Sequence, residues 1–66
     1  MKLSDIELNL VVQDLQYGRD FVITADETHP NKERWLGLTK ISTGQLYTMQ
    51  PEQLLRDFEV KQPAYE

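Results

Sequence analysis

Two alternating apolar segments joined by a glycine-containing turn constrain the fold of this chain most. The segment "RWLGLTKI" runs from Arg34 to Ile41, and "QLYTM" runs from Gln45 to Met49. Alternation of apolar and polar residues is the period of a β-strand. The intervening "STG" suits a three-residue hairpin loop with Gly44 in the left-handed conformation. These residues therefore predict two antiparallel strands.

The length of the loop decides which side chains share a face of this hairpin. With a loop over residues 42–44, Thr39 lies opposite Tyr47 and Gly37 lies opposite Met49. One face then carries Trp35, Thr39, Ile41, Tyr47 and Met49, and the other carries Leu36, Leu38, Leu46 and Thr48. Since both faces are apolar, one covers the core. The other is either covered by more of this chain or available to a partner.

The N-terminal segment "SDIELNLVVQDLQYG" fits two structures. A capping box of Ser4 and Glu7 precedes apolar residues at helical spacing. The same segment alternates as a strand does from residue 6 to residue 12. The next segment, "RDFVITAD", is a clear strand, and the link before it contains Gly18, as hairpin links do. A β-hairpin is therefore preferred, and a helix over residues 4–17 remains the alternative.

A short helical turn is predicted over residues 51–57, after a polar loop at 25–33 and the central hairpin. Pro51 suits the first position of a helix, and Leu54 and Phe58 are spaced to pack together against the core. The segment "FEVK" then returns as a brief closing strand. These elements predict a mostly β domain of four or five short antiparallel strands with one helical turn near the C-terminus.

The "TGQLY" hairpin, and the "PEQLL" turn before a last strand, resemble those of small SH3-like β-barrels in bacterial and phage proteins. The first hairpin of such modules often starts with a glycine and a hydrophobic residue, where this chain has Asn9-Leu10. The resemblance covers residues 4–61 and implies a barrel that binds other molecules, but no particular ligand. We expect a single barrel domain over 1–61 and a flexible tail over 62–66.

Charge and composition limit the classes of partner. Eleven acidic residues face seven basic ones, for a formal net charge of −4, and the basic residues are scattered along the chain. Nucleic-acid binding is disfavoured, because contact with phosphates needs clustered lysines and arginines. There is no cysteine, and no apolar run has the length of a signal peptide or a membrane span. The composition predicts a cytoplasmic protein without membrane contact.

No motif in the chain predicts catalysis. His29, with Asp26 and Glu27 nearby in sequence, offers too few ligands of the usual kinds for a structural zinc site. Neither Ser4 nor Ser42 stands in the setting of a nucleophile elbow. The glycines are isolated, so no phosphate-binding loop is present. We predict that the protein is not an enzyme and uses neither a metal nor a cofactor.

These observations favour a non-catalytic protein-interaction module, acting as a small accessory or inhibitory subunit with a regulatory role in a bacterium or a phage. Trp35, Tyr47 and Met49 form the predicted partner-binding surface, with Thr39 on the same face and Arg34 at its rim. Burial of Trp35 in the core is the alternative for that residue. The partner is predicted to be a protein, and self-association is possible because so small a domain lacks disulfides and metals. Two other functions stay open: an acidic antagonist that mimics nucleic acid, and a single-strand nucleic-acid binder that stacks bases on Trp35 and Tyr47.

Overall fold

The computed structural model describes residues 1–63, which form one five-stranded antiparallel sheet, a 3₁₀ helix at Leu3–Asp5 and a short α-helix. The strands are β1 (Val11–Asp14), β2 (Asp20–Thr28), β3 (Arg34–Lys40), β4 (Leu46–Met49) and β5 (Phe58–Gln62), and helix α1 (Pro51–Asp57) connects β4 to β5. The strand order is β4-β3-β2-β1-β5. The predicted mostly β fold with one short helix is thus confirmed. Within the described residues, strand pairing leaves β4 and β5 as edges and does not close the sheet into a barrel.

The first hairpin forms as preferred, and the helix predicted as its alternative is wrong. Strand β1 pairs with β2, but it begins at Val11, later than the alternation suggested. The reason is a left-handed turn at Asn9, with φ +73°. This turn lets Ile6 and Leu10 both reach the core, where they are 5% and 3% exposed. The backbone amide of Asn9 donates a hydrogen bond to the carbonyl of Ile23 at 2.8 Å, so the turn is tied to β2.

Strand β2 runs further than predicted, through the first part of the expected polar loop. Residues 25–28 pair with β3, and only residues 29–33 connect the two strands. The register of β2 against β3 shifts between Ile23 and Ala25, which is the pattern of a β-bulge. After the bulge, Ala25 lies opposite Gly37 and Glu27 opposite Trp35. The predicted loop boundary was wrong because cross-strand pairing can hold polar residues in a strand.

The register of the second hairpin also differs from the prediction by one residue. The amide of Lys40 donates to the carbonyl of Gln45 at 2.8 Å, so the four residues 41–44 form the connection. Gly44 has φ +76°, as expected of the left-handed position. Thr39 therefore lies opposite Leu46, and Leu38 opposite Tyr47. One additional loop residue moves the β4 side chains to the opposite faces from those predicted.

The core lies on one face of the sheet and under α1. It consists of ten apolar residues: Ile6, Leu10, Val12, Phe21, Ile23, Leu36, Leu38, Met49, Leu54 and Phe58. Helix α1 begins with Pro51, as predicted, and its Leu54 is completely buried. Full burial of such a side chain contributes about 1.5–3 kcal/mol. Phe58, the first residue of β5, is also buried, which confirms that both side chains pack in the core.

The last strand extends further towards the C-terminus than predicted. The predicted flexible tail covered residues 62–66, but Gln62 is the last residue of β5. Residues 64–66 lie outside the described part of the chain. No helix in residues 1–63 has the length and apolar character needed to cross a membrane.

Candidate functional site

An open cleft of about 490 Å³ lies between the β1–β2 turn and helix α1. Its apolar floor comes from Phe21, Tyr47, Met49 and Phe58, which belong to three strands of the sheet. Three of them are core residues, and Tyr47 packs against the core. The turn contributes one wall, and the end of α1 contributes the other. The cleft is therefore built on the rigid core, with more exposed residues at its sides.

Three aromatic rings fix the shape of the cleft floor. The ring centroid of Phe21 lies 5.5 Å from that of Tyr47 at an interplanar angle of 80°. It lies 5.4 Å from that of Phe58 at 84°. Both pairs are edge-to-face, the arrangement that the quadrupoles of aromatic rings favour. Tyr47 is half-buried in this cluster, so its exposed portion is held in place for contact with a ligand.

The β1–β2 turn is stabilised by Asp14. Its carboxylate Oδ1 accepts hydrogen bonds from the backbone amides of Gln16 at 2.6 Å and Tyr17 at 3.2 Å. The amide of Gly18 donates to the carbonyl of Asp14 at 2.8 Å, and Gly18 has φ +69°. Only glycine adopts this conformation without steric cost. The amide of Leu15 donates to the carbonyl of Asp57 at 2.9 Å, which joins the turn to the end of α1.

This turn presents large side chains to solvent. Leu15 is 57% exposed and Tyr17 is 61% exposed. The guanidinium carbon of Arg19 lies 4.7 Å from the centroid of the Tyr17 ring, within the range of a cation–π interaction. Tyrosine and arginine are enriched among residues that contribute most to protein–protein binding. The side of the cleft formed by the turn thus has the composition of an interaction surface.

The charged side chains around the cleft differ in whether they already have a partner within the fold. Arg56 forms an ion pair with Asp57, with an Nε–Oδ1 distance of 3.1 Å. Asp14 accepts the two amides of the turn. Arg19 takes part in none of the ion pairs found among residues 1–63. In a protein with a net charge of −4, this cleft is a place where a cation is available to an acidic ligand.

The partner-binding residues predicted from sequence do not share one face. Tyr47 and Met49 lie on the core side of the sheet and line the cleft. Trp35 and Thr39 alternate with the buried residues of β3 and lie on the opposite face, where both are half-buried. The hydroxyl of Thr39 is 3.1 Å from the hydroxyl of Thr24. The predicted single surface was wrong because it depended on the hairpin register.

Arg34, predicted at the rim of that surface, is held within the fold. Its Nε and Nη2 donate to the two carboxylate oxygens of Asp26 at 2.9 and 2.7 Å. Nη2 also donates to the carbonyl of Ile6 at 3.3 Å. The hydrogen bonds from Arg34 lower the pKa of Asp26 below its ordinary value. Arg34 therefore links the N-terminal segment to β2 and β3.

The loop at 29–33 contains the single histidine. The amide of His29 donates to the carbonyl of Glu33 at 2.8 Å, and the carbonyl of His29 accepts from the amide of Lys32 at 2.8 Å. Asp26, which the sequence places near His29, is instead bonded to Arg34. Within residues 1–63, no three side chains of the metal-binding types come together.

Sequence reasoning missed Leu15, Tyr17 and Arg19 as site residues. Leu15 and Tyr17 were treated only as part of a hairpin link, and Arg19 only as the first residue of the strand "RDFVITAD". A usable signal was present, because a link of four residues cannot bury both a leucine and a tyrosine. Large apolar residues in so short a turn indicate a surface patch.

Comparisons with protein-family models, with curated proteins and with solved structures found no match to this chain. Its function is therefore inferred from the geometry of the cleft and from the fold.

Proposed function

We propose that this chain is a non-catalytic interaction module that binds an extended segment of a partner protein in the cleft between the β1–β2 turn and α1. The observation that carries the proposal is the pairing of a fixed aromatic floor with exposed Leu15 and Tyr17 at its side. Rigid aromatic side chains supply contact area at low conformational cost. The protein would act by occupying a partner, in an accessory or inhibitory role.

The order of the elements supports an SH3-like assignment of the fold. A helical turn connects the last two strands, and the first and last strands pair with each other. Asn9 adopts a left-handed φ of +73° at the position where the related modules often have glycine. Asparagine tolerates this conformation better than most residues. The left-handed turn at residue 9 therefore forms without a glycine.

The openness of the cleft favours a peptide over a small molecule. Small ligands usually occupy concave sites that bury most of their surface. Here one wall is a hairpin turn and the other is the end of a seven-residue helix, so a ligand would run between them with its ends free. An extended segment with apolar side chains fits that shape, because alternate side chains can face the floor while the backbone stays solvated.

Charge specifies one further feature of the segment. Because Arg19 has no ionic partner among the described residues, an acidic residue beside the apolar side chains of the segment would pair with it. The pair would lie beside Tyr17, whose ring already holds the guanidinium at 4.7 Å. Such a contact contributes more to specificity than to affinity.

The proposal of a non-catalytic module takes account of the residues that line the cleft. Among the described residues, its walls contain no serine, histidine, cysteine or lysine. Its two carboxylates, of Asp14 and Asp57, are engaged with the turn and with Arg56. A general acid or base has to be free to exchange a proton with a substrate.

The two alternative functions are less well supported. Acidic mimicry of nucleic acid needs free carboxylates, but Asp26 is paired with Arg34, and Asp20 with Lys61 at 2.7 Å. Base stacking on two aromatic residues needs them on one surface, but Trp35 and Tyr47 lie on opposite faces of the sheet. The interaction module therefore remains our proposal.

Selection of peptides from a random library on the immobilised protein tests it. We expect the selected sequences to combine apolar residues with an acidic one, and Tyr17→Ala to weaken their binding at least about tenfold. Arg19→Gln should remove the preference for the acidic residue. Both side chains are exposed or at the rim, so the melting temperature should change little. Trp35→Ala, on the opposite face, is the matched control and should leave binding unchanged.

The result that would overturn the proposal is equally specific. If peptide binding survives Tyr17→Ala and is lost in Trp35→Ala, the partner binds the opposite face of the sheet. If no peptide is selected, while single-stranded nucleic acid is retained by the wild type, the module is a nucleic-acid binder.

A further inference from the structure

Within residues 1–63, strand β4 leaves two residues with unpaired backbone groups at the edge of the sheet. The hydrogen bond from the amide of Lys40 to the carbonyl of Gln45 fixes the phase of the β3–β4 ladder. Backbone groups alternate in direction along an antiparallel ladder. Those of Tyr47 and Met49 therefore face β3, and those of Leu46 and Thr48 face away from the sheet. An exposed row of this kind is a template for another strand.

The β4 edge also lacks the charges that normally protect a sheet edge. No residue between Lys40 and Glu52 is charged, which makes this the longest uncharged run in the chain. The other edge, β5, carries Glu59 and Lys61, both exposed. Charged side chains on edge strands discourage association with other strands. Of the two edge strands, β4 is therefore the one without charged side chains that would discourage pairing with another strand.

We infer that two copies of this chain pair through β4, antiparallel about a two-fold axis at Tyr47. In this register Leu46 of one copy lies opposite Thr48 of the other, and each of the two resulting pairs exchanges two backbone hydrogen bonds. The two Tyr47 residues face each other at the centre, in the closer, non-hydrogen-bonded type of pair. Aromatic cross-strand pairs of this kind are favourable.

The neighbouring symmetric registers are less favourable, because they require groups that are already bonded. A two-fold axis at Leu46 would pair Thr48 with Gly44, whose amide donates to the carbonyl of Lys40 at 2.7 Å. An axis at Thr48 would pair Leu46 with Gln50, whose carbonyl accepts from the amides of Gln53 and Leu54 at 3.1 and 3.3 Å. Among these three registers, only the axis at Tyr47 uses backbone groups that are all unpaired within the described part of the chain.

A second copy suits this edge because of charge. Each copy has a net charge of −4, and an uncharged edge is where two such molecules approach with the least repulsion. A contact of three residues per strand buries far less than the roughly 1,000 Å² typical of a stable interface. The dimer is therefore weak and reversible, and it depends on protein concentration.

Paired charge substitutions test the register by sedimentation velocity over a wide range of protein concentration. Wild type should shift from monomer towards dimer as concentration rises. Leu46→Glu with Thr48→Glu places two pairs of like charges opposite each other, and we expect a monomer at every concentration. Leu46→Lys with Thr48→Glu places opposite charges across the same pairs, and dimer formation should return at low salt. Both side chains are exposed, so these changes leave the core intact.

Leu8→Glu is the matched control. Leu8 lies outside β4 and is an exposed leucine, 51% accessible. Its replacement should not affect dimerisation. Amide hydrogen exchange of the wild type provides a second readout without any substitution. Exchange at Leu46 and Thr48 should slow as protein concentration rises. A wild type that stays monomeric up to millimolar concentration, or a doubly glutamate-substituted variant that still dimerises, would overturn the inference.

Discussion

Gly37 in β3 lies directly opposite Ala25 in β2, so closely that a Cβ atom on Gly37 would be 3.0 Å from the Cβ of Ala25. Carbon atoms in favourable contact are about 3.5–4.0 Å apart. The pair follows the bulge between Ile23 and Ala25. Small residues at both positions therefore allow β2 and β3 to pair closely just after the bulge.

The first prediction concerns this close contact. Gly37→Val should lower the free energy of unfolding by roughly 1–3 kcal/mol, because the strands must separate or the new side chain must leave its preferred rotamer. Adding Ala25→Gly removes the facing methyl group and should recover part of the loss. Urea unfolding of the two single variants and the double variant measures the coupling. Effects that simply add would mean that the two positions do not constrain each other.

The second prediction concerns the ion pair of Asp26 and Arg34. The hydrogen bonds from Arg34 lower the pKa of Asp26. A carboxyl with a lowered pKa in the folded state stabilises the fold above its unfolded pKa, and this contribution disappears as the pH falls through the folded-state pKa. Asp26→Asn should therefore be less stable than wild type at neutral pH. The difference should shrink below about pH 4, the ordinary pKa of aspartate.

Unfolding by urea at a series of pH values measures this difference. Glu27→Gln is the control for the loss of one negative charge, since Glu27 is an exposed neighbour in the same strand. At neutral pH it should lose less stability than Asp26→Asn, because Glu27 forms none of the ion pairs found among residues 1–63. A loss in Asp26→Asn that stays constant down to about pH 2 would show that the carboxylate charge is not what stabilises the contact.

The third prediction compares the same substitution at a buried and an exposed leucine. Leu54→Ala should cost about 2–5 kcal/mol, because it leaves a cavity between α1 and the sheet. Leu46 is 72% exposed, whereas Leu54 is 0% exposed, so Leu46→Ala should change stability by no more than about 0.5 kcal/mol. Thermal unfolding of both variants measures the two costs. Equal melting temperatures would mean that α1 does not close the core.

Local signals in the sequence were enough to predict the helix and most strands. Pro51 at the first helical position, followed by Leu54 and Phe58 at matching spacing, predicted the observed range Pro51–Asp57. The hairpin register could not be predicted in this way. Both faces of the β3–β4 hairpin carry apolar residues, so alternation does not select between a loop of three residues and one of four. The observed register is the one that buries Leu36, Leu38 and Met49 together.

The cleft depends on contacts between residues distant in sequence, and this is why only part of it was predicted. Tyr47 was identified as a binding residue, but the edge-to-face contact with Phe21 that positions its ring depends on the pairing of β2 with β3 and of β3 with β4. The opposite wall depends on the hydrogen bond from Leu15 to Asp57. No local pattern encodes either contact.

The fourth prediction concerns the left-handed turn at Asn9, φ +73°. Most L-residues lose roughly 1–2 kcal/mol in this conformation, because Cβ approaches the following carbonyl. Asn9→Val should therefore destabilise the protein by about that amount or more, since valine is β-branched. Asn9→Gly has two opposing effects: glycine removes the steric cost in the folded state, but it increases the conformational entropy of the unfolded chain. We expect these effects nearly to cancel, so that glycine keeps the stability of the wild type within about 0.5 kcal/mol in urea unfolding. If valine is tolerated as well as glycine, the turn at residue 9 does not require the left-handed conformation.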